Sequence, residues 1–353
     1  MRIAGTRPQL IIHRILKLSL LFMLGSIGAA CTADQELLPL VVTVGGRSMS
    51  KLPFVIAADQ GLYEKYGLDV ELRLPPPEFE GGKDAHADLW DRVWRRLGLQ
   101  EYPEPDITVD GHTPTMVTQA RRVQVPIRIA LAATDCSVRY YVIGRPGINS
   151  VEELKGTRLG INADRTTSGY TALRMVQRMG WSPLEDISIM GPGNVDLLRE
   201  GLIDAIVGGD DEFEAAQREG FPILEDTRVW NERLAGNSVL VERGWLEDGA
   251  NREAAKRFLR AVSEAIALFH QNPELVMEIL ADWYGMTDRE FAEARYERTD
   301  YIPRKPYPCA EGVRNTMDLY DSREMRQYRP ENFYDDTLIR ELDESGFIDS
   351  LYE

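Results

Sequence analysis

The sequence predicts an exported α/β protein in which mostly parallel sheets are flanked by helices. Three observations point there. A basic then apolar stretch opens the chain like a cleavable leader. Behind it, strand and helix patterns alternate and are punctuated by glycine. The roughly 320 residues that remain are enough for two lobes of ordinary domain size.

Residues 1–30 carry Arg2, Arg7, Arg14 and Lys17 and no acidic residue. The apolar core Leu18–Ile27 is too short to span a bilayer comfortably, so it reads as a signal peptide. Gly28-Ala29-Ala30 before Cys31 resembles the lipobox of bacterial lipoproteins, with Gly28 where leucine is usual. Lipidation of Cys31 is one expectation, and plain cleavage after the small residues is the other. Losing the four basic charges takes the formal net charge from −16 to −20. So acidic a chain argues against nucleic acid or an anionic membrane surface as partner. Contact with a membrane is expected only through the anchor at Cys31. Besides Cys31 the sequence holds Cys136 and Cys309. An oxidising compartment permits them to pair, and two cysteines with scattered histidines make no structural zinc site.

The elements follow in order. Leu40–Val44 is an apolar strand that ends in Gly45-Gly46. In Lys51–Leu72 the apolar positions Leu52, Val55, Ile56, Leu62 and Tyr63 keep helical spacing, and Gly67 suits a left-handed stop. Val70, Leu72 and Leu74 then alternate as a strand does, which completes a βαβ unit. After Pro75-Pro76-Pro77, residues 78–105 read as an insertion with a short helix near Ala87–Leu97. Its Asp84, His86 and Asp88 would not share a helical face, so they read as a solvated acidic loop rather than a metal cluster.

Asp106–Val109 is a short strand, and Thr113–Val123 a helix with Pro114 in its first turn. Pro126–Ala133 and Arg139–Ile143 are strands. Ser150–Gly156 is a short helix with Glu153 placed for a capping box, before the strand Arg158–Ile161. A helix opens at Arg165-Thr-Thr-Ser-Gly-Tyr170 and runs to Met179. Asp186–Met190, Val195–Glu200 and Asp204–Val207 repeat strand, helix, strand, and Ser238–Val241 is a further strand. From Asn251 the chain is mainly helical, and that tail should pack back on one lobe.

The order of these motifs resembles the type II periplasmic substrate-binding proteins of ABC transporters. The likeness is greatest to the branch that binds sulfonates, nitrate or the pyrimidine precursor of thiamine. The matching pieces are Pro53–Leu72, Asp106–Thr115, Ser150–Gly156 with Arg158–Ile161, Thr166–Tyr170 and the run Gly-Leu-Ile-Asp-Ala-Ile-Val-Gly-Gly at Gly201–Gly209. The resemblance implies two lobes joined by two crossing strands, near Arg139–Gly144 and Asn237–Glu242, with ligand held between them. Lobe one would be residues 37–137 plus 238–353 with the helical tail, and lobe two residues 138–237. It also implies a small-molecule ligand, an ABC permease in the inner membrane as partner, and a location in the periplasm or cell envelope. No cofactor is implied.

Candidate ligand-binding residues sit where strands end and helices begin. Thr166, Thr167 and Ser168 open a helix whose free N–H groups suit an anion or a carbonyl, while one hydroxyl also serves as cap. Arg47 and Ser48 follow the first strand, and Arg47 could grip an anion through its planar fork. Asp110 and His112 join a strand to a helix, where Asp110 either accepts from ligand or caps. Asp210 follows Gly208-Gly209, beside Asp211, which is itself placed to cap the next helix. Arg139 and Asn237 stand at the crossings, and Tyr140, Tyr141 and Trp245 could stack a ring or serve the core.

The expected function is solute capture for import, without chemistry. The alternatives are an enzyme of the thiamine-pyrimidine or menaquinone-biosynthesis type and a ligand sensor for a membrane receptor. The synthase-type relatives carry a cysteine-rich motif that this chain lacks, and no Gly-x-Ser-x-Gly elbow, His-Glu-x-x-His or phosphate loop is present.

Overall fold

In the strand Leu38–Val44 (β1), Leu40, Val42 and Val44 are buried and the residues between them partly exposed, the alternation a one-sided sheet strand requires. The computed structural model that contains it describes residues 37–77, 79–83, 97, 104–122 and 127–353. The leader, Cys31, and the acidic cluster at Asp84, His86 and Asp88 lie outside the described residues, as does most of the expected insertion.

The expected helix after β1 forms in two pieces. Leu52–Asp59 is helical, Gly61 turns the backbone left-handed at φ +63°, and Leu62–Lys65 adds one more turn. Gly67, at φ +76°, stops it as its sequence position predicts. Leu68–Arg73 (β2) then runs parallel to β1, with Leu40 opposite Val70. Ile107–Gly111 (β3) follows, then the helix His112–Ala120 and Arg128–Ala133 (β4).

The chain next enters a second sheet. It forms Tyr141–Gly144 (β5), Arg158–Gly160 (β6), Ser188–Met190 (β7), Ala205–Gly208 (β8) and Ile223–Asp226 (β9). Helices Thr167–Arg178, Val195–Arg199 and Asp210–Glu219 connect them. Ser150–Gly156 holds only the 3-10 turn Glu152–Leu154, without a side-chain cap, where a capped helix was expected. Asn237–Glu242 (β10) returns to the first sheet.

The strand orders are β2-β1-β3-β10-β4 and β7-β6-β8-β5-β9. In each sheet four of the five strands run the same way, as the expectation of mostly parallel sheets has it, and one runs against them. In the first, β10 runs antiparallel to β3 and β4; in the second, β5 runs antiparallel to β8 and β9. In each case the odd strand is the one arriving from the other lobe, so it enters from the opposite end. Residues 134–140 and 227–236 carry the chain between the sheets.

The first lobe's core sits where the helix Gly249–Gln271 covers Leu52–Asp59. Phe54, Tyr63 and Phe258 stack there, the last two with centroids 5.4 Å apart. Burying a side chain the size of Phe258 contributes about 1.5–3 kcal/mol. The second lobe buries both faces of its sheet, with Val142, Leu159, Tyr170 and Met175 on one and Tyr141, Ile143, Ile206 and Ala216 on the other.

The tail does not confine itself to one lobe. Helix Ala310–Leu319 presses Gly312 against the Leu234–Ala235 backbone of the return crossing. Tyr320 donates to the Asp164 carbonyl at 2.7 Å, and Arg174 of the second lobe donates to the Asn315 carbonyl at 3.4 Å. Cys136 and Cys309 are disulfide-bonded with Cα atoms 5.5 Å apart, tying that helix's start to the first crossing.

Candidate functional site

The carboxyl ends of β1, β6 and β8 converge on a cavity of about 580 Å³ at the seam between the sheets. The first lobe lines it with residues 45–51, Pro76, Asn237 and Arg295. The second contributes Asn162 and residues 209–212, and the first crossing adds Asp135, Arg139 and Tyr140. Strand ends supply the walls because backbone groups there have left the ladder and face outward.

Five expected residues meet in this cavity: Arg47, Ser48, Arg139, Asp210 and Asn237. Arg47 is buried, and its fork is engaged by backbone carbonyls. It donates to the carbonyls of Pro75 at 2.7 Å, Lys83 at 3.1 Å and Trp283, and so fastens the loop after β1 to the end of helix Pro273–Tyr284. Ser48 and Ser50 share a hydrogen bond of 3.1 Å, and Asn237 donates to Ser50 at 2.5 Å. These three form a polar floor.

Arg139 lies flat against the Tyr301 ring, 3.0 Å from its centroid, and approaches Asp135 at 3.9 Å. Burial opposes its charge, but Asp135, Tyr301 and Asp210 more than compensate and hold its pKa above the ordinary value. Burial raises the Asp135 carboxyl, with Arg139 opposing and Asp210 adding to the rise. Burial likewise pushes the Tyr140 phenol up to about 12, while its hydrogen bond with Thr167 works the other way.

The remaining expected residues stand off the cavity wall. Thr166 caps its helix, accepting from Gly169 N–H and donating to the Ala163 carbonyl at 2.7 Å. Ser168 is fully buried and accepts from Asn162 N–H at 3.0 Å. Both hydroxyls thus serve the turn itself, and Thr167 reaches the cavity only through Tyr140. His112 is buried in the first lobe against the Phe333 backbone, where burial lowers its pKa to about 3. Its expected place at the cleft is corrected by the start of its own helix, which turns the ring inward.

Asp110 neither lines the cavity nor caps. It accepts from Gly111 N–H at 2.8 Å and pairs with Lys51, which does line it, at 3.2 Å. Asp211 is likewise no cap: the helix begins at Asp210, two residues earlier than a cap at Asp211 would have it, with Gly209 as N-cap, and Glu212 accepts from Gly209 N–H at 2.9 Å. Of the ring candidates, Tyr141 stacks on Phe213 at 4.1 Å, and Trp245 packs against the first lobe's core.

The sequence reading missed Asp135, Lys51, Asn162 and Arg295. Asn162 follows β6, so the strand-end rule applied there as it did to Gly45 and Gly209. Arg295 had no local signal. It comes from the helix Arg289–Glu297 and donates to Glu214 at 2.8 Å and to Asp211, while Arg298 donates to Glu214 at 2.6 Å. This ion network crosses from the first lobe to the second at the cavity's edge. Among the described residues no cluster suited to a metal ion occurs.

Residues 106–275 match the family model described as NMT1/THI5 like. The match agrees with the resemblance drawn from the sequence motifs. No curated protein sequence matches the chain. Solved structures similar to the chain have the periplasmic-binding-protein fold. The periplasmic aliphatic sulphonate binding protein SsuA of Escherichia coli is 19% identical, with a TM-score of 0.58 over 84% of this chain and 98% of its own. The periplasmic nitrate-binding protein NrtA of Synechocystis PCC 6803 is 14% identical, with a TM-score of 0.62 over 88% and 89%. A structure titled desulfurization enzyme DSZB is 12% identical, with a TM-score of 0.61 over 87% and 99%. At these identities the likeness is one of fold, and the region that matches the family model contains both passages between the sheets.

Proposed function

We propose that the protein is an exported solute-binding protein that holds a small organic ligand between its lobes and delivers it to an ABC importer. The observation that carries this reading is the cavity of about 580 Å³ walled by both sheets, a volume suited to a small metabolite. The two passages between the sheets, residues 134–140 and 227–236, are the proposed hinge. The neighbours titled as sulphonate- and nitrate-binding periplasmic proteins support the same reading.

The leader then directs export, and Cys31 is the proposed site of lipid attachment. Among the described residues no helix is long and apolar enough to cross a membrane. Ser48, Asn237, Arg139 and Asp210 are the proposed ligand contacts from the expected set, joined by Asp135 and Asn162.

The test is isolation of the protein with whatever co-purifies, identification of that molecule by mass spectrometry, and calorimetric rebinding. One ligand per chain, recovered unchanged and accompanied by a smaller radius of gyration, is the expected result. An enzyme on the same fold is the second reading, favoured by the neighbour titled desulfurization enzyme. Recovery of a converted molecule after incubation would replace the first reading with the second.

A further inference from the structure

We propose that the ligand is a small organic cation, whose ammonium or amidinium group seats between Asp135 of the first crossing and Asp210 of the second lobe. The inference rests on the binding-protein reading above and names the ligand class for the same cavity.

The cavity's own cations are already committed. Arg47 donates to three carbonyls, Lys51 pairs with Asp110, and Arg295 is held by Asp211 and Glu214. That leaves Arg139 as the guanidinium between Asp135 and Asp210. Arg298, the other cation beside Asp210, is shared with Glu214, which it meets at 2.6 Å.

Both carboxylates are weakly paired. Asp135 meets Arg139 at 3.9 Å, beyond hydrogen-bond length, and its nearer partners are the neutral Ser137 N–H at 3.2 Å and hydroxyl at 3.4 Å. Asp210 meets Arg298 at 3.9 Å and starts its helix without a side-chain partner closer than that. Each carboxylate raises the cost of the other's charge, as the upward pull of Asp210 on Asp135 records. Arg139 is pinned against Tyr301 and cannot close on either without giving up that ring.

Among the described residues, the lining side chains, Glu212 included, taken with their partners Asp110, Glu214 and Arg298 carry one more negative than positive charge. An incoming anion would add to that excess, whereas a single positive charge with two or more N–H donors would balance it and satisfy both carboxylates. The two carboxylates also belong to opposite sides of the seam. A cation that bonds both draws the lobes together, so capture and closure become one event. The volume of about 580 Å³ exceeds what an ammonium ion fills, which calls for an organic body on the charged group.

The experiment compares benzylamine, benzamidine and benzenesulfonate, which share one apolar body and differ in charge, by calorimetry and solution scattering on the purified protein. The expected result is that a cation binds at least about tenfold more tightly than the sulfonate and lowers the radius of gyration. Asp135→Asn and Asp210→Asn should each weaken the cation by about tenfold or more, without weakening the sulfonate. Melting curves check that each variant is folded, and Asp210→Asn, at a partly exposed position, keeps the test informative should Asp135→Asn unfold. Tighter sulfonate binding, no cation binding, or cation affinity indifferent to both substitutions overturns the proposal. Compaction by the sulfonate alone would overturn it while preserving the binding-protein reading. Chemical conversion of a probe would instead remove that reading.

Discussion

Arg295 donates to Glu214 at 2.8 Å, and through that contact a tail helix of the first lobe holds the cleft helix of the second. Arg295 is 6% exposed, and Asp211 and Arg298 complete the network. Glu214→Gln should lower the unfolding free energy by about 1–3 kcal/mol, less than full loss of a buried pair because Asp211 still meets Arg295. It should also enlarge the unliganded protein's radius of gyration in scattering. An unchanged radius would confine the network to stability alone.

His112 gives stability a defined pH dependence. Burial lowers its folded pKa from 6.5 to about 3, so the folded state prefers the neutral ring. The contribution is fully present above pH 6.5 and is lost as pH falls from there toward 3, at up to about 1.4 kcal/mol per unit. Urea unfolding at pH 7 and pH 5 should show a smaller drop in His112→Leu than in the parent protein. Equal drops would mean that carboxylates set the whole dependence.

The disulfide between Cys136 and Cys309 closes a separation of 173 residues. Reduction should cost about 2–4 kcal/mol of unfolding free energy, mainly by releasing the unfolded chain. In a variant with both cysteines changed to alanine, added reductant should have no further effect.

Gly312 tests the docking of the tail helix on the return crossing. Exchanging a helical glycine for alanine ordinarily stabilises by about 1 kcal/mol. Here the new Cβ would fall 2.2 Å from the Leu234 carbonyl carbon and 2.4 Å from Ala235 N, both backbone atoms. Gly312→Ala should therefore destabilise by about 1–3 kcal/mol, read from denaturant midpoints. A gain in stability would place the helix farther from the crossing.

The strand and helix order was legible because most signals were local: the alternation in β1, the stop at Gly67 and the cap at Thr166 each need only a few neighbouring residues. β9 escaped because Ile223–Asp226 is half-buried throughout and lies at a sheet edge, so it shows no alternation. The site was legible in outline, since strand ends pointed to Ser48 and Asp210. It failed where hydroxyls had local work, as in Thr166 and Ser168, whose partners Ala163 and Asn162 close their own turn. It also failed where recognition depends on distant docking, as in Arg295, which meets Glu214 across 81 positions of sequence.

The strand β10 lies between β3 and β4, although it is made after every strand of the second lobe. Until β10 is in place, β4 has nothing to join it to β3, and the first sheet stays divided. The later lobe, contiguous from β5 to β9, can reach its final form sooner. Synthesis order and assembly order therefore run in opposite directions, and the earliest-made half is the last to be sealed.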